Sequence, residues 1–267
     1  MRQLFCLLLL ALSSHAQHAG TTVPMFYVYT HGSNATLAEL QQSWFGNETF
    51  GEVHKLDNFG RESHPYFFHI LRHYGHFPAF LLFHQALPEK GCSDLFINRI
   101  QRLRPNTGML SLGDASVCTC SQCWGENPVQ FKEIWAMARQ EFCSPEEKYA
   151  TFLKGAFVVA SRRVMAVPHR TYSALYQYLE APDGHWLHRE RSSYGTDSHN
   201  TSSPTLGHII ERSWNALFDC LDPGVVHPDF CTVKCVPERD CSVEACPPTA
   251  CQCLEAPGRF DWLASST

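Results

Sequence analysis

Short apolar runs alternate with stretches of helical period along most of this chain. "MFYVYT" (25–30) is apolar and β-rich and reads as a first strand, and the alternating "GEVHKLD" (51–57) reads as a second. Between them, Leu37–Gln42 offers a short helix. Ser63 then precedes Pro65, which suits a first helical turn, and Tyr66, Phe67, Ile70, Leu71 and Tyr74 form one apolar face that Gly75 can close. "PAFLLFHQ" (78–85) follows as a buried strand, so residues 50–85 spell a βαβ unit.

The alternation continues. Ser93 can cap a helix carrying Leu95, Phe96, Ile100 and Leu103, and "GMLSLG" (108–113) reads as a strand. Asn127-Pro128 opens a helix with Phe131, Ile134, Trp135 and Ala138 on one side, and Ser144-Pro145-Glu146-Glu147 has the form of a capping box. "GAFVVAS" (155–161) is a strand, Tyr172, Leu175, Tyr176 and Leu179 mark a helix, and after a polar loop Thr205 caps a last helix over 206–219. The expected fold is α/β, a mostly parallel sheet layered with helices.

Both ends depart from this pattern. Arg2 and the run Leu4–Leu12, followed by Ser14-His15-Ala16, have the form of a secretory leader, so residues 1–16 are expected to be removed. After Cys220, "CTVKCVPERDCSVEACPPTACQC" packs six cysteines among prolines, with little apolar periodicity. Residues 24–220 therefore read as the α/β domain and 221–267 as a small Cys-rich appendage held by crosslinks.

The cysteine count sharpens the compartment. Of thirteen cysteines, Cys6 leaves with the leader. Cys92, Cys118, Cys120, Cys123, Cys143, Cys220, Cys231, Cys235, Cys241, Cys246, Cys251 and Cys253 are then an even set, read as disulfides of a lumenal or extracellular protein. Five lie before Cys220 and seven from Cys220 onward, so if all twelve pair at least one bridge joins the two groups; Cys220 is the expected crosser to an earlier cysteine, which leaves the other six to form three bridges within the tail. "CTCSQC" (118–123) also has metal-like spacing, a reading that secretion disfavours. Asn34, Asn47 and Asn200 each open a glycosylation sequon. The net charge of −5 comes without a basic run, so nucleic acid is not an expected partner, and no later segment has the length for a membrane span.

The candidate chemistry gathers after the second strand, in "DNFGRESHPYFFHILRHYGHF". Gly60 permits a sharp turn, Arg61 offers a planar fork for phosphate or carboxylate, and Glu62 can pair with Arg61, accept a hydroxyl proton or hold a metal. A stiffening Arg–Glu pair accounts for the same residues. His69 and His73 lie one helical turn apart, and His84 ends the following strand. Two histidines at that spacing need a third ligand before they hold a metal, and hydrogen-bonded boundary histidines are the simpler reading.

Three ordered motifs carry a resemblance. "DNFGRESHPYFFHILRHYGHFPAFLLFHQ", "GAFVVASRRVMAVPHRTYSALYQYL" and "HIIERSWNALF" resemble a eukaryotic family of unknown function found in fungi, algae and other protists, domain of unknown function 3431. The match covers about residues 50–220. That family is similar to nucleotide-sugar glycosyltransferases of the GT-A type. The resemblance implies transfer of a sugar from a nucleotide donor to a hydroxyl acceptor. It points to Glu62, His84 and Glu211 for catalysis, and to Asn58, Gly60, Arg61, Gln85, Ser161, Arg162 and Arg212 for substrate. The Asp-x-Asp motif that holds a divalent metal such as Mn²⁺ in such enzymes is not found after the strand ending at Gln85. A non-catalytic glycan-binding or cell-surface protein is the alternative.

Overall fold

The computed structural model describes residues 4–9, 25–31, 50–85, 98–123, 129–182, 184–186, 205–227 and 249–256. Among these described residues are nine strands: β1 Leu4–Leu9, β2 Met25–His31, β3 Phe50–Leu56, β4 Phe80–Gln85, β5 Thr107–Ser111, β6 Ala115–Thr119, β7 Lys148–Phe152, β8 Phe157–Ala160 and β9 Gln252–Leu254. The α-helices are α1 Ser63–Arg72, α2 Val129–Arg139, α3 Ser161–Ala166, α4 His169–Leu179 and α5 Thr205–Leu217. Seven strands form one sheet in the order β3-β2-β1-β4-β8-β5-β9, and β6 and β7 form a separate pair.

The expected mostly parallel sheet is not what forms. β2 and β3 pair in parallel, and every other described pairing is antiparallel. The physical reason is that an apolar run marks a buried strand without giving its direction, and β9 is too short to leave a pattern. β8 runs back between β4 and β5, and β9 returns from the C-terminal segment to the edge. Tracing directions across the sheet leaves β3 and β4 parallel to each other, as a βαβ unit requires, but with β2 and β1 between them.

Strands β4, β5 and β8 feed two layers. Leu81, Phe83, Met109, Phe157 and Val159 face the main core with α1, α4 and α5; Phe80, Leu82, Leu110, Val158 and Ala160 face a smaller one with Ile100 and Leu103 against it. That two-sided burial explains why β8 reads as an unbroken apolar run. The main core is aromatic: Trp214 stacks on Phe218 with centroids 5.6 Å apart and meets Tyr66, Phe67 and Phe157. Ser144–Glu147 is a turn leading into β7 rather than a helix start, although Ser144 N–H still reaches Glu147 Oε2.

The C-terminal segment is less separate than its composition suggests. β9 pairs with β5, and Ala250, Cys251 and Cys253 are part of the main core. Cys220–Cys253 ties it to the end of α5, so Cys220 does not cross to an earlier cysteine and Cys253 does not pair within the tail, contrary to the pairing expected from sequence. Cys118–Cys123 and Cys120–Cys143 pin β6 and the approach to β7, and Cys251 is also disulfide-bonded. Cys92, Cys231, Cys235, Cys241 and Cys246 lie outside the described residues, as do Leu37–Gln42 and the sequons at Asn34, Asn47 and Asn200. Leu4–Leu9, in the expected leader, stands in the sheet between β2 and β4.

Candidate functional site

The loop leaving β3 is shaped by two consecutive left-handed residues, Gly60 (φ 68°) and Arg61 (φ 59°). At Gly60 a side chain is excluded twice over: the φ is unfavourable, and a Cβ would come within 2.3 Å of Leu179 Cδ2 on α4. From the other side Gly207, in the first turn of α5, packs onto the Gly60 backbone; a Cβ on Gly207 would sit 3.0 Å from the Gly60 carbonyl oxygen. The loop is thus clamped between two helices, which fixes where Arg61 and Glu62 point.

Glu62 is the N-cap of α1 and is 1% exposed. It faces the turn between β7 and β8, where Lys154 (φ 68°) and Gly155 (φ 56°) are again left-handed. A Cβ on Gly155 would lie 3.0 Å from Glu62 Cγ. Tyr66, one turn into α1, fastens this turn by donating its hydroxyl to the Gly155 carbonyl at 2.9 Å.

α5 closes the cluster with His208 and Glu211, three residues apart on one helix face. Lys154 N–H donates to Glu211 Oε1 at 2.5 Å, and Glu211 Oε2 lies 3.6 Å from His208 Nδ1. Arg61 Nη1 approaches the His208 ring at 3.3 Å, and Arg61 Nε lies 3.6 Å from Glu62 Oε2. Arg61 and His208 each keep about a quarter of their side chain in solvent, while Glu62 sits beneath them. Glu62 Oε2 and the Asn58 Oδ1 at the start of the loop are buried and accept no hydrogen bond from the described residues.

The two carboxylates are tuned in opposite directions. Burial, then the neighbouring Glu211 charge, pushes the Glu62 carboxyl up to about 7 against the smaller pull of Arg61. Burial also acts to raise Glu211, but the His208 hydrogen bond, the Lys154 N–H and the charges of His208 and Arg61 outweigh it and hold the group below the usual carboxylate range. One carboxyl therefore readily carries a proton near neutrality while its neighbour stays ionised, the arrangement on which acid–base pairs are built.

The remaining sequence candidates lie elsewhere. Arg162 donates to the Thr107 carbonyl and approaches Glu255, at the start of α3 with Ser161. Arg212, although adjacent to Glu211, reaches the Cys123 carbonyl beside the disulfide loop. His84 stands on β4 opposite Cys6, and Gln85 opposite Phe5. His208 and Lys154 were missed. "LGHIIER" places His208 and Glu211 one helical turn apart, a signal available in the sequence. The role of Lys154 rests on a backbone N–H in a left-handed turn and leaves no sequence trace.

The histidine helix has its own environment. His69 is fully buried with its ring 4.5 Å from that of His73, and burial, followed by the nearby His73 and His54, holds it well below the usual imidazole range. His64 stacks on Tyr176 and bonds Glu180 at 3.2 Å. Among the described residues, the group whose donor atoms converge to metal reach is Cys120, Cys143 and Glu147, and its two sulfurs are spent in a disulfide. These residues do not suit a divalent ion such as Mn²⁺.

No family model, curated protein or solved structure matches this chain.

Proposed function

We propose that the protein is a glycosyltransferase-like enzyme of the secretory pathway, and that Arg61, Glu62, His208 and Glu211 form its site. The observation that carries this reading is the pair of carboxylates with opposed proton affinities, packed under a partly exposed arginine. In such a transfer the acceptor hydroxyl gives its proton to Glu62 as its oxygen bonds to the sugar's anomeric carbon. The bond from that carbon to the nucleotide diphosphate breaks, and the electron pair leaves with the diphosphate. Arg61, with its planar fork, offsets the charge that develops there, and the His208 ring beside it helps to hold the guanidinium in place. Glu211 lies 3.6 Å from His208 Nδ1 and holds the ring in place. Disulfides and the expected leader support a lumenal or extracellular setting.

A second reading, non-catalytic glycan binding, is favoured by the depth of Glu62, which at 1% exposure lies below Arg61 and His208 rather than beside an acceptor. Thermal shift against nucleoside diphosphates, their sugars and free glycans, together with donor-sugar turnover, separates the two. Nucleotide sugars should stabilise the wild type and fail to stabilise Arg61→Ala. Glu62→Gln should retain that binding while losing turnover by about 10²–10⁴-fold. Stabilisation by glycans alone, without turnover, establishes the second reading; no response to either class overturns both.

A further inference from the structure

The strand Leu4–Leu9 belongs to the segment that composition marks as a removable leader, yet it stands between β2 and β4. It is antiparallel to both, so β2 and β4 run parallel to each other. Four residues deep, the rows across the slot are Tyr29–Phe5–Gln85, Val28–Cys6–His84, Tyr27–Leu7–Phe83 and Phe26–Leu8–Leu82. With neighbouring strands about 4.8 Å apart, β2 and β4 are separated by roughly 9.5 Å across β1.

We propose that cleavage behind Ala16 withdraws β1, and that β2 and β4 then close the slot by pairing directly in parallel. The inference rests on the leader reading of residues 1–16 and not on the enzymatic one. Loss of β1 strips the ladder from two facing edges at once, and unpaired backbone N–H and C=O groups inside a sheet are strongly unfavourable. Both edges already run in the same direction. The β3–α1–β4 connection is the helical crossover that parallel strands need, and after closure it spans one intervening strand instead of two.

Face alternation restricts the register. Phe83 lies in the main core and Leu82 in the smaller one. β8 holds both on their own sides, so pairing that keeps the present rows, or slips by two residues, preserves the faces of β2, whereas a slip of one would turn β2 over. Tyr27 therefore comes to rest beside Leu81, Phe83 or Gln85. The mature sheet remains mixed, with β3, β2 and β4 parallel and β8, β5 and β9 alternating beyond them. Closure also brings the end of β3, from which the Asn58–Glu62 loop departs, one strand nearer to His84.

The test compares the secreted protein with a chain that retains residues 1–16. N-terminal sequencing of the secreted protein should begin behind Ala16. Tyr27→Cys is combined in turn with Leu81→Cys, Phe83→Cys and Gln85→Cys, and disulfides are mapped on non-reducing peptides. One of the three pairs should link in the mature chain and none in the retained chain, where the separation exceeds the roughly 7 Å Cα limit for a disulfide. Amide exchange on the unmodified mature protein, which does not depend on the variants folding, should show β2 and β4 protected in a monomer. A secreted protein that still begins at Met1, a link in both chains, rapid exchange along β2 and β4, or protection only in a dimer or a complex would each overturn the proposal.

Discussion

Arg163 Nε donates to Glu255 Oε1 at 2.6 Å, and both side chains are almost wholly buried. The arginine comes from α3 and the carboxylate from just past β9. Arg163 Nη1 also donates to the carbonyls of Phe218 and Asp219, so one guanidinium ties the helix after β8, the end of α5 and the C-terminal segment together. Gly108 of β5 makes room for it: a Cβ there would lie 2.3 Å from Arg163 Nε.

Removing one partner of this pair should leave a charge buried and uncompensated. Glu255→Gln is expected to cost about 3–5 kcal/mol, read as a fall in the denaturant midpoint at unchanged slope. Arg163→Met together with Glu255→Leu should recover most of the loss, because the pair's net contribution is far smaller than the cost of breaking it. Truncation before β9 should be at least as damaging as Glu255→Gln, because β9, Glu255 and Cys253 leave together.

Glu62 makes stability depend on pH with a definite sign. Its folded-state pKa, about 7, lies above the ordinary value of 4.5, so between these limits the native state binds more protons than the unfolded chain. Its contribution is complete below about pH 4.5 and is lost as pH rises through 7. The full change is on the order of 3 kcal/mol, at about 1.4 kcal/mol for each tenfold difference in proton affinity. Glu211, displaced the other way, gives a contribution present above its unfolded pKa that is lost as pH falls through its lowered folded value. Glu62→Gln should flatten the fall in melting temperature between pH 5 and 7 and should exceed wild type in stability at pH 8. An unchanged slope would mean that Glu62 is not buried as described.

The loop clamp predicts a contrast between two glycines with positive φ. Gly60→Ala meets both an unfavourable backbone and the Leu179 side chain, whereas Gly75, at φ 87°, has open space around it. Gly75→Ala should cost about 1 kcal/mol, the left-handed penalty for a residue with a Cβ. Gly60→Ala should cost clearly more and should disturb the environment of Arg61 and Glu62. Urea melts of the two variants decide it.

The Cys220–Cys253 bridge closes a separation of 33 residues and fastens β9 to α5. Replacing both cysteines by serine should cost about 2–4 kcal/mol, mostly by freeing the unfolded chain. Non-reducing peptide maps should recover Cys118–Cys123 and Cys120–Cys143 unchanged in that variant.

The long elements were legible because burial writes a period into sequence. The apolar face of α1, the two-sided run of β8 and the strong amphipathicity of α5 all emerged from pattern alone. Strand direction did not, because a buried antiparallel strand between helices is as uniformly apolar as a parallel one. β6 and β7 carry too few periodic residues to be distinguished from loop, and β9 is three residues long. At the site, Gly60, Arg61, Glu62 and Glu211 were reachable through motif and spacing. The convergence of Arg61 with His208, and of Lys154 N–H with Glu211, depends on left-handed turns packed against each other far apart in the chain, and no local pattern encodes that.

β9 and Glu255 also order events during synthesis. The sheet's edge strand, the counter-ion of Arg163 and the cysteine partner of Cys220 all reside within residues 252–255. A nascent chain holding everything up to α5 lacks all three, so its central strands wait with an open edge and an unmatched guanidinium until those residues have been added. Completion of the fold is therefore a step that follows chain elongation, and a disulfide formed earlier between Cys220 and another cysteine would have to be exchanged before it.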